Sequence, residues 1–260
     1  MIGLILGTSE GKKILSLLNN FTDNIFVSTA TDYGGEILKK YKYAYLNTKP
    51  LKLQNLINVL KEKNVKVLVD ASHPYALEIT DNCIKACEEL KIEYIRYERP
   101  SCIESFKNKE MVVQVADYSE LYDKLKDISG NILNTTGSRN LDKLLVMNLR
   151  NRIIHRVLPS VKVMKECFDY GIAVEDIIAI KGPISYELNC TFIKEYDGKI
   201  MILKDSGIEG GTVEKLKACI DNNIYAFVIG RQAKKYKNTF NDIELLVKYL
   251  SNSQGSISDI

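Results

Sequence analysis

The sequence predicts an α/β protein built on mainly parallel sheets flanked by helices, and three observations carry that reading. Short apolar runs bounded by Gly, Pro, Asn or Asp alternate with longer stretches of helical period, which is the signature of successive βαβ units. The 260 residues, 45% hydrophobic and 27% charged, suffice for two modest domains with real cores. No apolar run approaches the ~18 to 20 residues that cross a bilayer, so a membrane-spanning class is excluded.

Taken in order, Ile2 to Leu6 reads as the first strand. Glu10 to Leu18 then places Ile14, Leu17 and Leu18 on one face, with Lys12, Lys13 and Ser16 elsewhere, so it reads as a helix lying on the sheet. Strands follow at Ile25 to Ala30, Ala44 to Leu46, Val65 to Ala71 and Ile92 to Tyr97, with helices near Glu36 to Tyr41, Leu53 to Lys63 and Leu77 to Leu90. The clearest helix is Leu53 to Lys63, where Leu53, Leu56, Ile57 and Leu60 form a stripe against Gln54, Asn55, Asn58, Lys61 and Glu62. After Glu98, Arg99 and Pro100 the pattern loosens, which predicts one domain over residues 1–103 and a second over 104–260. In the second, strands are expected at Met111 to Ala116, Ile132 to Asn134, Arg152 to Val157, Ile177 to Ile180, Ile200 to Leu203 and Ala226 to Ile229. Its helices are expected near Ser119 to Asp127, Asn140 to Leu149, Val161 to Tyr170, Tyr186 to Tyr196, Val213 to Asp221 and Asp242 to Leu250, ahead of a frayed tail of about ten residues.

Charge and cysteine usage narrow the function classes. The net charge of +3, from 36 basic and 33 acidic residues, is too small and too evenly spread for a nucleic-acid groove, while anionic small molecules stay open. The six cysteines, Cys83, Cys87, Cys102, Cys167, Cys190 and Cys219, form no Cys-x-x-Cys pair, and the chain opens without a basic segment or cleavage site. A reduced cytoplasmic setting is expected. Cys83 and Cys87 share one helical face, but no His or third Cys stands nearby to complete a tetrahedral site, so they read as buried thiols and no metal is expected.

In open parallel sheets ligands bind beyond the carboxyl ends of the strands, so the residues after each strand are the ones to weigh. The first strand runs into Gly7, Thr8, Ser9, Glu10 and Gly11, a turn whose glycines and amides suit a phosphate, although any strand-turn-helix junction favours such residues. It is neither Gly-x-Gly-x-x-Gly nor a P-loop. The second strand ends in hydroxyls, Ser28 and Thr29, with Asp32 later, which tilts toward a ribose carrying a 2′-phosphate over one bound by an acid; a plain Gly34-Gly35 turn is the alternative. The strand at Val65 to Ala71 exits through Ser72, His73, Pro74 and Tyr75; the chain has only two histidines, and Pro74 holds His73 out of helical geometry. In the second half the exits gather cations: Arg139 after Thr135-Thr136-Gly137-Ser138, Lys181 before Gly182-Pro183-Ile184-Ser185, Lys204 before Asp205-Ser206-Gly207, and Arg231 after Gly230. Their repetition favours a carboxylate or phosphate ligand. Tyr122-x-x-x-Lys126 and Tyr45-x-x-x-Lys49 match the dyad of short-chain dehydrogenases only at the frequency that chance produces.

Read together, Ile-Leu-Gly-Thr-Ser-Glu-Gly at Ile5 to Gly11, Asp-Ala-Ser-His-Pro-Tyr-Ala at Asp70 to Ala76 and Tyr-Glu-Arg-Pro at Tyr97 to Pro100 resemble the precorrin-6A reductase family of cobalamin biosynthesis. Thr135 to Gly137, Arg156 to Pro159, Lys181 to Ser185 and Lys204 to Gly207 with Gly210 and Gly211 follow in that family's order, so the resemblance spans nearly the whole chain. It implies two Rossmann-like domains with a cleft between them, NADPH as hydride source, and reduction of one macrocycle double bond of precorrin-6A or its cobalt form. The family often has Arg at position 12 and Gln at position 181, where this chain has Lys12 and Lys181; Lys for Arg keeps charge but loses the bidentate fork.

The resemblance sets the expected roles. The cofactor is expected on Gly7, Thr8, Ser9, Glu10, Gly11, Thr29, Ser72 and His73, and the anionic tetrapyrrole on Tyr75, Arg139, Lys181, Ser185, Lys204, Asp205, Ser206, Gly207 and Arg231. Hydride addition needs a proton donor at the neighbouring carbon. Asp142, one helical turn after Arg139, is favoured over His73, with Lys12 a further catalytic candidate. A solvated carboxylate in a first helical turn is the alternative for Asp142. Another NAD(P)-dependent reductase of an anionic small molecule, or a non-catalytic dinucleotide sensor, are the competing functions. The chain is expected to be a monomer or weak homodimer with no nucleic-acid or membrane partner.

Overall fold

The computed structural model describes residues 1–7, 10–231 and 234–255. Two six-stranded sheets are present, and every strand pairing in them is parallel. The strands are β1 (Ile2–Leu6), β2 (Ile25–Ser28), β3 (Tyr45–Asn47), β4 (Val67–Ala71), β5 (Glu93–Tyr97), β6 (Val112–Val115), β7 (Asn131–Asn134), β8 (Ile153–Val157), β9 (Ile177–Ala179), β10 (Gly198–Lys204), β11 (Tyr225–Ile229) and β12 (Thr239–Phe240). The helices are α1 (Glu10–Leu18), α2 (Asp32–Glu36), α3 (Leu53–Glu62), α4 (Leu77–Leu90), α5 (Tyr118–Leu125), α6 (Leu141–Leu145), α7 (Val161–Asp169), α8 (Tyr186–Glu195), α9 (Thr212–Asp221) and α10 (Ile243–Gly255). Among the described residues no helix is long and apolar enough to cross a membrane.

The first sheet has the order β3-β2-β1-β4-β5-β12 and the second β9-β8-β7-β10-β11-β6. Both follow one plan: a central strand, two laid down to one side, and the rest to the other. The order reverses between β1 and β4 in the first sheet and between β7 and β10 in the second, and such reversal points are where open α/β sheets bind ligands.

Alternation along the strands divides each core. Ile2, Leu4 and Leu6 of β1 pack with Ile14, Leu15 and Leu18 of α1 and with Leu246, Val247 and Leu250 of α10. Ile5 and Phe26 face the other way, onto Leu56 and Leu60 of α3 and Cys83 and Cys87 of α4. Those two thiols are buried, and burial pushes both upward, Cys87 to about 12. In the second sheet Leu133, Ile154, Met201 and Leu203 meet Ile193 of α8 and Leu216 and Cys219 of α9. Each such aliphatic side chain contributes about 1.5 to 3 kcal/mol when taken from water.

Three expectations are corrected. Among the described residues the second unit covers 100–231, and 234–255 belong to the first unit with Met1–Arg99, so the domain expected over 104–260 does not hold. The reason is that β12 pairs with β5, while α10 covers the same face as α1. Helix α2 begins at Asp32 rather than Glu36, because the Thr31 hydroxyl accepts from Gly34 N at 3.1 Å and caps it. Gly34 and Gly35 are kept inside it by crowding: a Cβ would stand 2.9 Å from Thr29 Cβ or 2.5 Å from Thr48 Cγ2. Helix α10 runs to Gly255, into what was expected to be a frayed tail.

Candidate functional site

In the first unit the exits of β1 and β4 converge on Gly7. Its amide donates to the Ala71 carbonyl at 3.1 Å. A Cβ on Gly7 would meet the Ala71 carbonyl oxygen, the His73 backbone nitrogen and Arg99 Nη2 at 3.5, 3.8 and 3.9 Å. The glycine therefore keeps open a recess rimmed by an amide and a guanidinium. Arg99 is held there by Glu10 in the first turn of α1, its Nη2 donating to Glu10 Oε2 at 2.7 Å, and both side chains are buried. His73 Nδ1 accepts from the Tyr75 amide at 3.3 Å, so a neutral ring carries its proton on Nε2. The Tyr75 ring lies 5.7 Å from the imidazole.

Behind this recess Asp70 locks the β4 exit in place. The fully buried carboxylate accepts from Ser72 N, Thr80 Oγ1 and the Tyr94 hydroxyl and pairs with Arg96 at 2.9 Å. Arg96 in turn donates to the hydroxyl and carbonyl of Ser72 at 3.2 and 3.1 Å. Ser72 is thus turned into the protein, and Thr29 is likewise buried, its hydroxyl donating to the Thr31 carbonyl at 3.1 Å. Gly11, in the first turn of α1, is buried against Leu6, and Lys12 is exposed on the same helix. Thr8 and Ser9 lie outside the described residues.

In the second unit the exits of β7 and β10 are tied together by Lys204, whose Nζ donates to the Thr136 carbonyl at 3.0 Å. Burial, and then the neighbouring charges of Arg139 and Lys143, push Lys204 down to about 8. Tyr118 joins the group, its hydroxyl 3.4 Å from Thr136 Oγ1 and its ring 5.5 Å from Lys143 Nζ. Burial, more than the Asp142 carboxylate nearby, raises the Tyr118 phenol. Lys204, Arg139 and Asp142 are therefore brought to one edge, with Arg139 and Asp142 exposed. Gly137, at φ +82, has open space where a Cβ would be.

The remaining expected contacts are distributed differently. Asp205 is buried and pairs with Arg231 at 3.1 Å, while Arg231 also donates to the carbonyls of Asp205 and Pro100. Ser206 is buried with its amide on Thr212 Oγ1, and Gly207 takes φ +71, which favours glycine. These three build the loop before α9. Lys181 and Ser185 are exposed, with Ser185 capping α8 through Leu188 N at 3.2 Å. Sequence reasoning did not assign Arg99, Tyr118 or Lys143 to the site, although Arg99 stands inside the Tyr97 to Pro100 block. Among the described residues no cluster of His, Cys, Asp or Glu is arranged to hold a metal.

Two wholly parallel sheets, each with donors and glycine gathered where its strand order reverses, define an α/β protein of two Rossmann-like units. Residues 1–251 match the family described as Precorrin-6x reductase CbiJ/CobK. A cobalt-precorrin-6A reductase of Methanocaldococcus jannaschii is 32% identical over 255 residues, covering 96% of this chain and 97% of that one. One of Priestia megaterium is 31% identical over 260 residues, covering 98% and 100%. A solved structure of CobK precorrin-6A reductase agrees in fold, with a TM-score of 0.77 at 14% identity over 96% of both chains. The chain belongs to the precorrin-6x reductase CbiJ/CobK family.

Proposed function

We propose that the protein reduces one macrocycle double bond of cobalt-precorrin-6A, or of metal-free precorrin-6A, with NADPH as hydride source, as a cytoplasmic step of cobalamin biosynthesis. The observation that carries the reading beyond family membership is the cluster of Lys204, Arg139 and Lys143 at the reversal point of the second sheet. Three cations on one edge suit a substrate bearing several carboxylates.

The first unit fits a dinucleotide. The recess over Gly7 presents the His73 amide and Arg99 Nη2, donors of the kind a pyrophosphate takes, and Glu10 orients the guanidinium. When bound, the reduced nicotinamide supplies a hydride.

The chain's own groups then have three tasks. Lys204 and Arg139 hold substrate carboxylates. His73, its Nδ1 accepting from Tyr75 N, lends its own backbone amide to the first unit's recess. The proton for the carbon beside the one reduced comes from the Asp142 carboxyl, which stands at the cationic edge and is exposed to solvent for reprotonation.

The test offers precorrin-6A and cobalt-precorrin-6A separately and follows the near-ultraviolet absorbance of NADPH, with NADH as comparison. Consumption of NADPH dependent on either tetrapyrrole is expected. Binding of NADPH without its oxidation by either would leave the sensor reading in its place.

A further inference from the structure

The chain's other histidine, His155, lies in the middle of β8 in the second unit and is only 2% exposed. The register of β7 against β8 sets it beside Asn134, the last residue of β7, which is fully buried. Residues in register share a face of the sheet, and the next one of β8 on that face, Val157, packs with Leu141 of α6 and Cys167 of α7. Two polar side chains thus stand on an apolar face, where each must be hydrogen-bonded to be tolerated.

Their bonds have a fixed direction. The Thr136 backbone amide can only donate, and it does so to Asn134 Oδ1 at 3.0 Å; the Thr136 hydroxyl donates to the same oxygen at 2.8 Å. With Oδ1 committed, the atom that Asn134 turns to the imidazole is Nδ2, which has only protons to give, 3.1 Å from His155 Nδ1. Nδ1 is therefore the acceptor, and the ring is neutral with its proton on Nε2. Burial, opposed in part by the Asp176 carboxylate, pushes the imidazole down to about 4, so it is uncharged at neutral pH. A proton on Nδ1 would face the amide protons, and turning the amide over would set Nδ2 against the Thr136 amide.

The same turn carries a cation. Thr136, held by Asn134 through both its amide and its hydroxyl, presents its carbonyl to Lys204 Nζ at 3.0 Å and accepts from the Tyr118 hydroxyl on Oγ1 at 3.4 Å. A run of bonds therefore leads from a buried imidazole, through Asn134 and Thr136, to two groups of the ligand edge.

We propose that His155 is a positioning residue for Lys204: by accepting from Asn134 Nδ2 it holds the amide in the orientation that seats the Thr136 turn, and with it the ammonium that meets an anionic ligand. The positioning is a property of the second unit alone; that the ligand is a tetrapyrrole carboxylate rests on the reductase reading.

Two measurements on the full chain need no substrate. In long-range proton–nitrogen NMR the two histidines give two rings, and the one lost in His155→Asn is expected to be the neutral Nε2–H tautomer at neutral pH. A ring carrying Nδ1–H would overturn the proposal. Acetic anhydride labelling across pH, read by mass spectrometry at Lys204, is expected to give a midpoint of about 8 in the unaltered chain. The midpoint rises by about one unit in His155→Leu, which removes the acceptor, and stays in place in His155→Asn, whose Oδ1 stands near the position of Nδ1. Equal midpoints in all three chains, or equal shifts in both variants, would overturn the proposal, since a merely structural histidine is not rescued by an acceptor. Should His155→Leu fail to fold, Asn134→Asp takes its place: its carboxylate still accepts from Thr136 but gives His155 no proton, so the ring is expected to change to Nδ1–H, and an unchanged tautomer would count against the proposal.

With tetrapyrrole supplied, His155→Leu raises its KM about tenfold with kcat within a few-fold, His155→Asn restores it, and in a Lys204→Met background His155→Leu adds nothing further. Additive effects of the two changes would overturn the route through Lys204. Lys204 midpoints that behave as expected in a protein that turns over neither tetrapyrrole would keep the positioning role and remove the reductase reading.

Discussion

Lys204 Nζ reaches across from the last residue of β10 to the carbonyl of Thr136, 3.0 Å away at the exit of β7. The bond fixes an ammonium at the point where the strand order of the second sheet reverses, beside Arg139 and Lys143.

That placement gives a pH dependence. Lys204 carries its charge below about 8, so affinity for a polycarboxylate is highest there and falls as pH rises through 8. Stability moves the other way. The folded value lies below the unfolded one, near 10.5, so the folded protein has released a proton that the unfolded chain retains, and stability rises with pH between those values. Replacing Lys204 by Met should raise the tetrapyrrole KM by roughly tenfold and flatten both trends, as read by steady-state kinetics and thermal unfolding across pH.

Glu10 acts through Arg99. With Glu10→Gln the guanidinium loses its charged partner, and NADPH affinity should fall by about tenfold in a calorimetric titration. Breaking a buried pair also costs about 3 to 5 kcal/mol of stability, visible as a lower urea midpoint. An unchanged dissociation constant would remove Arg99 from the dinucleotide site.

Asp70 has a structural role of larger size. Asp70→Asn strands Arg96, which is 1% exposed, and leaves Thr80 and Tyr94 donating to a weaker acceptor. A loss of about 3 kcal/mol or more is expected from chemical denaturation, with Thr80→Val in the same cluster costing less.

Asp142→Asn should lower kcat at least about a hundredfold while leaving the tetrapyrrole KM within a few-fold, since a proton donor serves the reaction more than binding. Turnover at the parent rate with an unaltered pH profile would send the assignment to another group.

Lys215→Met should stabilise the unliganded protein, and more at pH 6 than at pH 9. Below about 7 the buried amine is charged at a cost, whereas above it the folded state has already released the proton. Thermal unfolding at the two pH values measures the difference.

The central strands were legible because β1 and β4 are buried on both faces and read as unbroken apolar runs. β12 was not, since Thr239 and Phe240 form a strand only because the edge of β5 is there to receive them. Cations at strand ends could be seen from topology alone, which is how Arg139 and Lys204 were found. Ser72 and Thr29 show the limit of that reasoning: a hydroxyl after a strand can turn inward, and only tertiary partners such as Arg96 decide it. Lys215 left a faint signal, a lysine spaced with Thr212 and Cys219 on the buried side of α9, but its burial follows from packing that no local pattern encodes.

The first sheet closes with a strand drawn from the far end of the chain, and that has a consequence for biogenesis. During synthesis residues 100–232 have emerged and can assemble while β5 still presents a bare edge, because Thr239 and Phe240 leave the ribosome late. The half that is translated first is therefore the half that is finished last, and until then its unpaired border is the place where a chaperone would be needed to prevent association between nascent chains.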